Sequence, residues 1–202
     1  MSFFQNTCKP EGFGGKIMVA MMNMGHNALA DWGFQHITIP EDARVLDAGC
    51  GGGANIKKLL TKCPKGTVTG IDYSEVSVAK SRKINAKAIA ADRCEVLQAS
   101  VSELPFGDDI FDLVTAFETI YFWPGLTDCF QEVYRVIKPG GTFFICNESN
   151  GEKKEDEKWI SMIDGMTIYH ADQILAALNQ AGFSNAKVEK NEKGWICVAA
   201  RK

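Results

Sequence analysis

The sequence predicts a doubly wound α/β fold: a mostly parallel sheet of seven strands, with an antiparallel hairpin at its C-terminal end and a helical cover before it. Three observations carry this. Strand and helix signals alternate from residue 44 to residue 200. The strand segments are rich in Val, Ile and Phe, as expected where a sheet is buried on both faces. The first of these strands runs straight into a cluster of glycines that opens a helix, the strand–turn–helix start of an α/β unit.

The elements follow in order. Ile17 to Ala30 reads as a helix that is apolar on most sides and holds four of the seven methionines, with Gly33 as its stop. Between Gly12 and Pro40 the only formally charged residues are Lys16 and Asp31. Residues 1–40 are therefore expected as an N-terminal lid or extension on a core domain of residues 41–202. Arg44 to Asp47 reads as a strand, Asn55 to Cys63 as a helix, and Thr67 to Ile71 as a β-branched strand ending at Asp72. Glu75 to Ile89 reads as one helix, and Cys94 to Gln98 and Phe111 to Phe117 as strands. Thr127 to Val136 is a helix stopped by Pro139 and Gly140, and Gly141 to Cys146 is the next strand. Ala171 to Ala181 is a helix ended by Gly182. Asn185 to Lys190 and Trp195 to Ala200 are joined by the turn-rich Asn191-Glu192-Lys193-Gly194, which makes them a hairpin at a sheet edge.

Composition narrows the function. At roughly 150 residues per domain, 202 residues make one domain with a modest extension. Hydrophobic residues make up 46% and charged residues 23%, which argues against a disordered chain. The net charge is −3 and no Lys/Arg run exceeds two, so nucleic acid is disfavoured as the main partner. Seven cysteines form no C-x-x-C pair, which fits neither a zinc framework nor a disulfide scaffold but suits free thiols in a reducing cytoplasm. No metal-ligand spacing appears. No secretory leader is evident, and no apolar run approaches the roughly 18 residues of a membrane span. The expected state is a cytoplasmic monomer or homodimer, its apolar first helix serving as a lid or as a dimer face.

The sharpest signal is Val45-Leu46-Asp47-Ala48-Gly49-Cys50-Gly51-Gly52-Gly53. Glycine permits positive φ and close approach of a ligand to the main chain. The helix that follows presents unpaired N–H groups. Asp72, at the end of the next strand, can accept both hydroxyls of a ribose. Two cofactors could use this arrangement. Gly49-x-Gly51-x-x-Ala54 satisfies the loose nicotinamide pattern, but Asp47 would crowd a pyrophosphate. A carboxylate two residues before the first glycine suits a cofactor with a cationic amino group.

Here the chain resembles the class I S-adenosylmethionine-dependent methyltransferases, in their small-molecule branch, from about Ala43 onward. Asp47 to Gly53 is similar to the glycine-rich first motif, and Asp72 to the ribose-binding acid. Ser102-Glu103-Leu104-Pro105-Phe106, Phe111-Asp112-Leu113-Val114 and Arg135-Val136-Ile137-Lys138-Pro139-Gly140-Gly141 resemble later motifs in the family's order. The resemblance implies a Rossmann-like sheet and S-adenosylmethionine as cofactor, with S-adenosylhomocysteine as product. It implies that Asp47, Ala48, Gly49 and Gly51 hold the methionine part, that Asp72 holds the ribose, and that Tyr73 lies against the adenine. Ser100 and the N–H of Val101 would meet the adenine edge. The family commonly has Gly-Asp where this chain has Ala99-Ser100, so a neutral contact replaces a charged one there.

Phe117 and Glu118 fall where the family touches cofactor and acceptor. Glu118 with Tyr121, Phe122 and Trp123 is an expected acceptor wall, and packing under a loop is the alternative. Glu148, after the next strand, is a second candidate or a solvated loop carboxylate. A lid would turn Met22, Asn23 and His26 toward the acceptor, with His26 beside Glu118 as a candidate general base. The implied function is methyl transfer to an oxygen, nitrogen or sulfur of a small molecule. Two other readings stand: an NAD(P)-dependent oxidoreductase, and a non-catalytic cofactor-binding subunit that regulates a partner.

Overall fold

The structure is a computed structural model that describes residues 27–202. In chain order its elements are α1 (Asn27–Gly33), β1 (Arg44–Ala48), α2 (Ala54–Lys62), β2 (Thr67–Asp72), α3 (Glu75–Ile84), α4 (Ala86–Ile89) and β3 (Cys94–Gln98). They continue with β4 (Phe111–Phe117), a 3-10 turn (Ile120–Phe122), α5 (Leu126–Val136), β5 (Ile137–Asn147), α6 (Lys154–Met162), α7 (Ala171–Gln180), β6 (Ser184–Lys190) and β7 (Ile196–Arg201).

All seven strands form one sheet in the order β3-β2-β1-β4-β5-β7-β6. Strands β1 to β5 are mutually parallel, and β7 is antiparallel to both β5 and β6. The chain leaves β1 toward β2 and β3, then crosses back to β4 on the other side. The switch point therefore lies between β1 and β4, where open α/β sheets bind ligands outside the strand carboxyl ends.

Adjacent residues on the central strands enter opposite cores. Leu46, Val114, Phe143 and Ile145 pack toward α5 and α7, with Phe130, Ile174 and Trp123. Val45, Leu113, Phe144 and Cys146 pack toward α1, α2 and α3, with Leu29, Ile56 and Val78. That two-sided burial is why the strands read as nearly continuous apolar runs.

Several boundaries differ from the sequence expectation, for local reasons. The helix expected over Ile17 to Ala30 lies outside the described residues up to residue 26, and its described part continues to Gly33. Its Leu29 and Ala30, with Phe34 beyond it, are buried against the sheet, while residues 35–40 are exposed or half-buried. The helix expected over Glu75 to Ile89 breaks at Asn85, whose φ of −101° and ψ of 14° leave the helical region. The buried Asn85 amide donates to Gly53 O at 3.1 Å and Ser81 O at 3.0 Å. A short amide side chain that bonds the backbone competes with helix continuation, and here it anchors the glycine turn. Strand β5 begins at Ile137, ahead of the expected Gly141, because Pro139-Gly140 is absorbed by a register shift against Phe111 and Leu113. The charged run after Glu152 forms α6, a helix the sequence reading did not draw. Arg135 donates to Phe106 O at 2.7 Å and Leu104 O at 3.1 Å, pinning the Leu104-Pro105-Phe106 segment onto α5.

Candidate cofactor and acceptor site

Strand β1 carries Asp47 to its carboxyl end, and the chain turns through Gly49 to Gly53 into α2. Gly49 and Gly51 have φ of +81° and +51°, in the left-handed region that side chains other than glycine rarely adopt. The N–H groups of Gly49 and Cys50 both donate to Ile71 O, at 2.9 and 2.8 Å, fastening the turn to the end of β2. A methyl group on Gly49 would lie 2.0 Å from Thr119 Oγ1, so the loop after β4 presses directly on this glycine.

Two buried carboxylates flank the turn. Asp72 accepts the Gly51 N–H at Oδ2 and the Ser74 N–H at Oδ1, each at 2.9 Å. It ties the glycine turn to the N-terminus of α3, and the Ser77 side chain is a third donor to it. Burial raises its pKa, and the Ser74 and Gly51 N–H groups and the Ser77 hydroxyl pull it back only in part. Asp47 is 2% exposed. Its Oδ1 accepts the Thr115 hydroxyl at 2.8 Å, and its Oδ2 has no partner among the described residues. Burial pushes this carboxyl up to about 7, against the Thr115 hydrogen bond and with a further push from Asp72. A buried acceptor left open is costly, and a cationic group beside it offsets that cost.

The adenine side is assembled from β2 and β3. Tyr73 is 40% exposed, next to Asp72. Ala99 N donates to Asp72 O, and Gln98 Nε2 to Tyr73 O, both at 3.1 Å, so the segment after β3 lies along Tyr73. Val101 is buried. Ser100 is exposed, its hydroxyl 2.7 Å from that of Ser102.

Beyond the switch point, Glu118 follows β4 with φ of +58°, a backbone state that is uncommon outside glycine. Its Oε1 accepts the Tyr121 hydroxyl at 3.1 Å and the N–H of Glu148. Ser149 N in turn donates to the Tyr121 oxygen at 3.0 Å. Glu118 and Tyr121 therefore join the ends of β4 and β5. Burial and the neighbouring Glu118 charge raise the Tyr121 phenol well above its ordinary range, so it stays protonated as the donor.

The chain matches the family model of a methyltransferase domain over residues 46–145. Cycloartenol-C-24-methyltransferase 1 of Oryza sativa subsp. japonica is 30% identical over 149 residues, covering 69% of this chain and 43% of that protein. A SAM-dependent methyltransferase from Aquifex aeolicus superposes with a TM-score of 0.77 at 20% identity, covering 92% of this chain and 97% of the other. Phosphoethanolamine N-methyltransferase 2 of Haemonchus contortus, solved with S-adenosylhomocysteine and phosphomonomethylethanolamine, gives 0.80 at 17% identity, over 100% of this chain and 61% of the other. This chain belongs to the class I S-adenosylmethionine-dependent methyltransferases. It spans less than half the length of the first curated relatives it matches.

S-adenosylmethionine is the cofactor of this methyltransferase family, and the residues present fit it. The unpartnered Oδ2 of Asp47 matches an ammonium, the bare backbone at Gly51 gives clearance, and the Asp72 carboxylate, with three donors on it, keeps acceptor capacity for a ribose hydroxyl. Asp47, Ala48, Gly49, Gly51, Asp72, Tyr73, Ser100 and Val101 all fall at or just beyond the carboxyl ends of β1, β2 and β3.

The acceptor side departs from expectation. Phe117, expected at the cofactor, turns its side chain into the core against Phe34 and Phe144, with ring centroids 4.9 and 5.7 Å apart. Trp123, expected in the acceptor wall, is a core residue instead. It is 7% exposed and stacks on Phe143 at 6.1 Å, and its Nε1 donates to Thr119 Oγ1 at 3.1 Å. Tyr121 is buried, with its hydroxyl engaged as above. Glu148 is exposed, at the end of β5. Met22, Asn23 and His26 lie outside the described residues.

Two residues the sequence reading passed over stand out. Thr119 abuts Gly49. Asn147, the last residue of β5, is 1% exposed, and neither its amide nitrogen nor its oxygen has a partner among the described residues. A signal for Asn147 exists: it continues the register of Phe143 and Ile145, so it is a polar residue at an apolar position. Among the described residues no cluster of three metal-ligating groups occurs, and no helix is long and apolar enough to cross a membrane.

Proposed function

We propose that this chain transfers a methyl group from S-adenosylmethionine to a small-molecule acceptor. The observation that carries the reading is the pairing of an open, buried Asp47 oxygen with a doubly anchored Asp72 on either side of a positive-φ glycine turn. When bound, S-adenosylmethionine supplies an electrophilic methyl group on a sulfonium, and S-adenosylhomocysteine is what remains after transfer.

The residues divide the work of holding and alignment. Asp47 accepts from the ammonium, Gly49 and Gly51 give the methionine part room, and Asp72 accepts from the ribose hydroxyls. Tyr73, Val101 and Ser100 flank the adenine. Glu118, fixed by Tyr121 and the Glu148 N–H, stands on the acceptor side as the candidate base. The segment up to residue 40, with Met22, Asn23 and His26, is our proposed cover over the acceptor. The attacked atom is an oxygen, nitrogen or sulfur by the sequence reading, and the names of the curated relatives add carbon. We assign the chain to a reducing compartment such as the cytoplasm, supported by six buried and unpaired cysteines among the described residues.

The nicotinamide alternative meets Asp47, whose buried carboxylate would face a pyrophosphate. Calorimetric titration decides the cofactor. Micromolar binding of S-adenosylhomocysteine, weakened at least tenfold by Asp72→Ala, is the expected result, at roughly 1.4 kcal/mol per tenfold. Binding of reduced nicotinamide without S-adenosylhomocysteine binding would overturn the reading. Transfer of labelled methyl groups to a panel of sterols, amines, thiols and phenols then identifies the acceptor.

A further inference from the structure

The side chain of Thr119 has a place in the site that no motif assigns. Three observations bear on it. It packs on the Cα of Gly49, where an added methyl would meet its Oγ1 at 2.0 Å and its Cβ at 2.7 Å. Its Oγ1 accepts the Trp123 indole N–H at 3.1 Å, and that indole is held rigidly between Phe143 and Phe130. Among the described residues the Thr119 hydroxyl proton has no acceptor, and Thr119 is only partly buried.

A hydroxyl offers one proton and two lone pairs. With one lone pair taken by the indole, the group is oriented and its proton is left for an acceptor beside Gly49. Two residues before Gly49, Asp47 leaves an acceptor without a partner among the described residues. The turn thus carries a free hydroxyl donor at Gly49 and an unpartnered acceptor at Asp47, the two groups needed by the ends of an amino acid: an acceptor for the ammonium and a donor for the carboxylate.

We propose that Thr119 is a cofactor-binding residue whose hydroxyl, set by Trp123, donates to the amino-acid carboxylate of the cofactor. Trp123 is then a positioning residue that acts through Thr119. The inference rests on the methyltransferase reading of the site and deepens it.

The test is calorimetry with two ligands, S-adenosylhomocysteine and methylthioadenosine, which keeps the nucleoside but lacks the amino-acid end. Thr119→Val removes the hydroxyl at nearly constant shape, and Thr119→Ser keeps it. Thr119→Val is expected to weaken S-adenosylhomocysteine about tenfold or more, the range of a hydrogen bond to a charged group. The same change should leave methylthioadenosine within about twofold, well inside the effect of one lost hydrogen bond. Thr119→Ser should restore most of the loss. Trp123→Phe, which keeps the ring stack and removes the N–H, should weaken only S-adenosylhomocysteine, by less than Thr119→Val does. Equal weakening of both ligands would reduce Thr119 to a prop for the loop and overturn the proposal, as would no weakening of either. If Thr119→Val fails to fold, the ligand ratio measured on Trp123→Phe decides: a preserved ratio overturns the proposal. Failure of the parent chain to bind either ligand would instead overturn the methyltransferase reading itself.

Discussion

The turn after β1 and the loop after β4 meet at Gly49 and Thr119, yet they are built by different means. The first is a backbone device. Positive-φ glycines, amide bonds to Ile71 O and two carboxylates define it within residues 47–74, with side-chain anchors from Asn85 and Thr115. The second is a side-chain device. Glu118, Tyr121, Ser149, Thr119 and Trp123 hold one another across two strand ends, drawing partners from as far as residue 149. The backbone device is stiff and tolerates little change. The side-chain device can be altered one group at a time.

Substitutions on the two sides should separate them. The largest effect is expected from Gly49→Ala, which meets both the positive φ and the Thr119 contact. It should abolish S-adenosylhomocysteine binding and lower the Tm by several degrees, read by calorimetry and thermal melting.

Next is Asp47→Asn, which should weaken S-adenosylhomocysteine more than tenfold above pH 7, where the native carboxylate is ionised. In the native chain the same affinity should fall as pH drops through about 7. Stability should move oppositely. Because the folded pKa is raised from 3.8 to about 7, the native chain loses stability as pH rises through that window. Asp47→Asn should therefore be more stable than the native chain at the upper end of that range, by an amount of order a few kcal/mol at most, read as a higher Tm.

Tyr121→Phe sharpens the contrast from the other side. It removes the bond to Glu118 and the acceptor of the Ser149 N–H, at a cost of about 1–3 kcal/mol. Its S-adenosylhomocysteine affinity should stay within about twofold, below the effect of a single lost hydrogen bond. The smallest change expected is from Asn147→Leu, which replaces an unpartnered buried amide by an apolar group of similar size. Its Tm should hold or rise slightly, since no hydrogen bond among the described residues is lost.

The same contrast explains what the sequence revealed. Strands β3 and β4 were placed residue for residue, because runs such as Phe111 to Phe117 are bounded by polar and turn-forming neighbours. The glycine turn and Asp72 were legible because φ requirements and spacing are local. The sequence predicts helix α3 too long because Asn85 looks innocuous until Gly53 lies beside it. Trp123 read as a pocket wall because an aromatic cluster beside a carboxylate has the same sequence appearance in a pocket and in a core. Only the stack on Phe143 separates the two. Thr119 carries no signal in the sequence because its neighbour Gly49 lies 70 residues away in the chain.

The placement of β7 between β5 and β6 also bears on how the chain reaches this state. Strand β6 comes first in sequence but touches only β7, so it has nothing to pair with until β7 is made. The pairing of β7 with β5 that β6 depends on bridges some fifty residues, a closure that loop entropy makes slow. Until then Phe143-Phe144-Ile145-Cys146 offers an open, uncharged and strongly apolar edge, the kind of segment on which partly folded chains associate. Refolding yield should accordingly fall with protein concentration, and weakening the Asn191–Gly194 turn should deepen that loss while leaving the cofactor turn untouched.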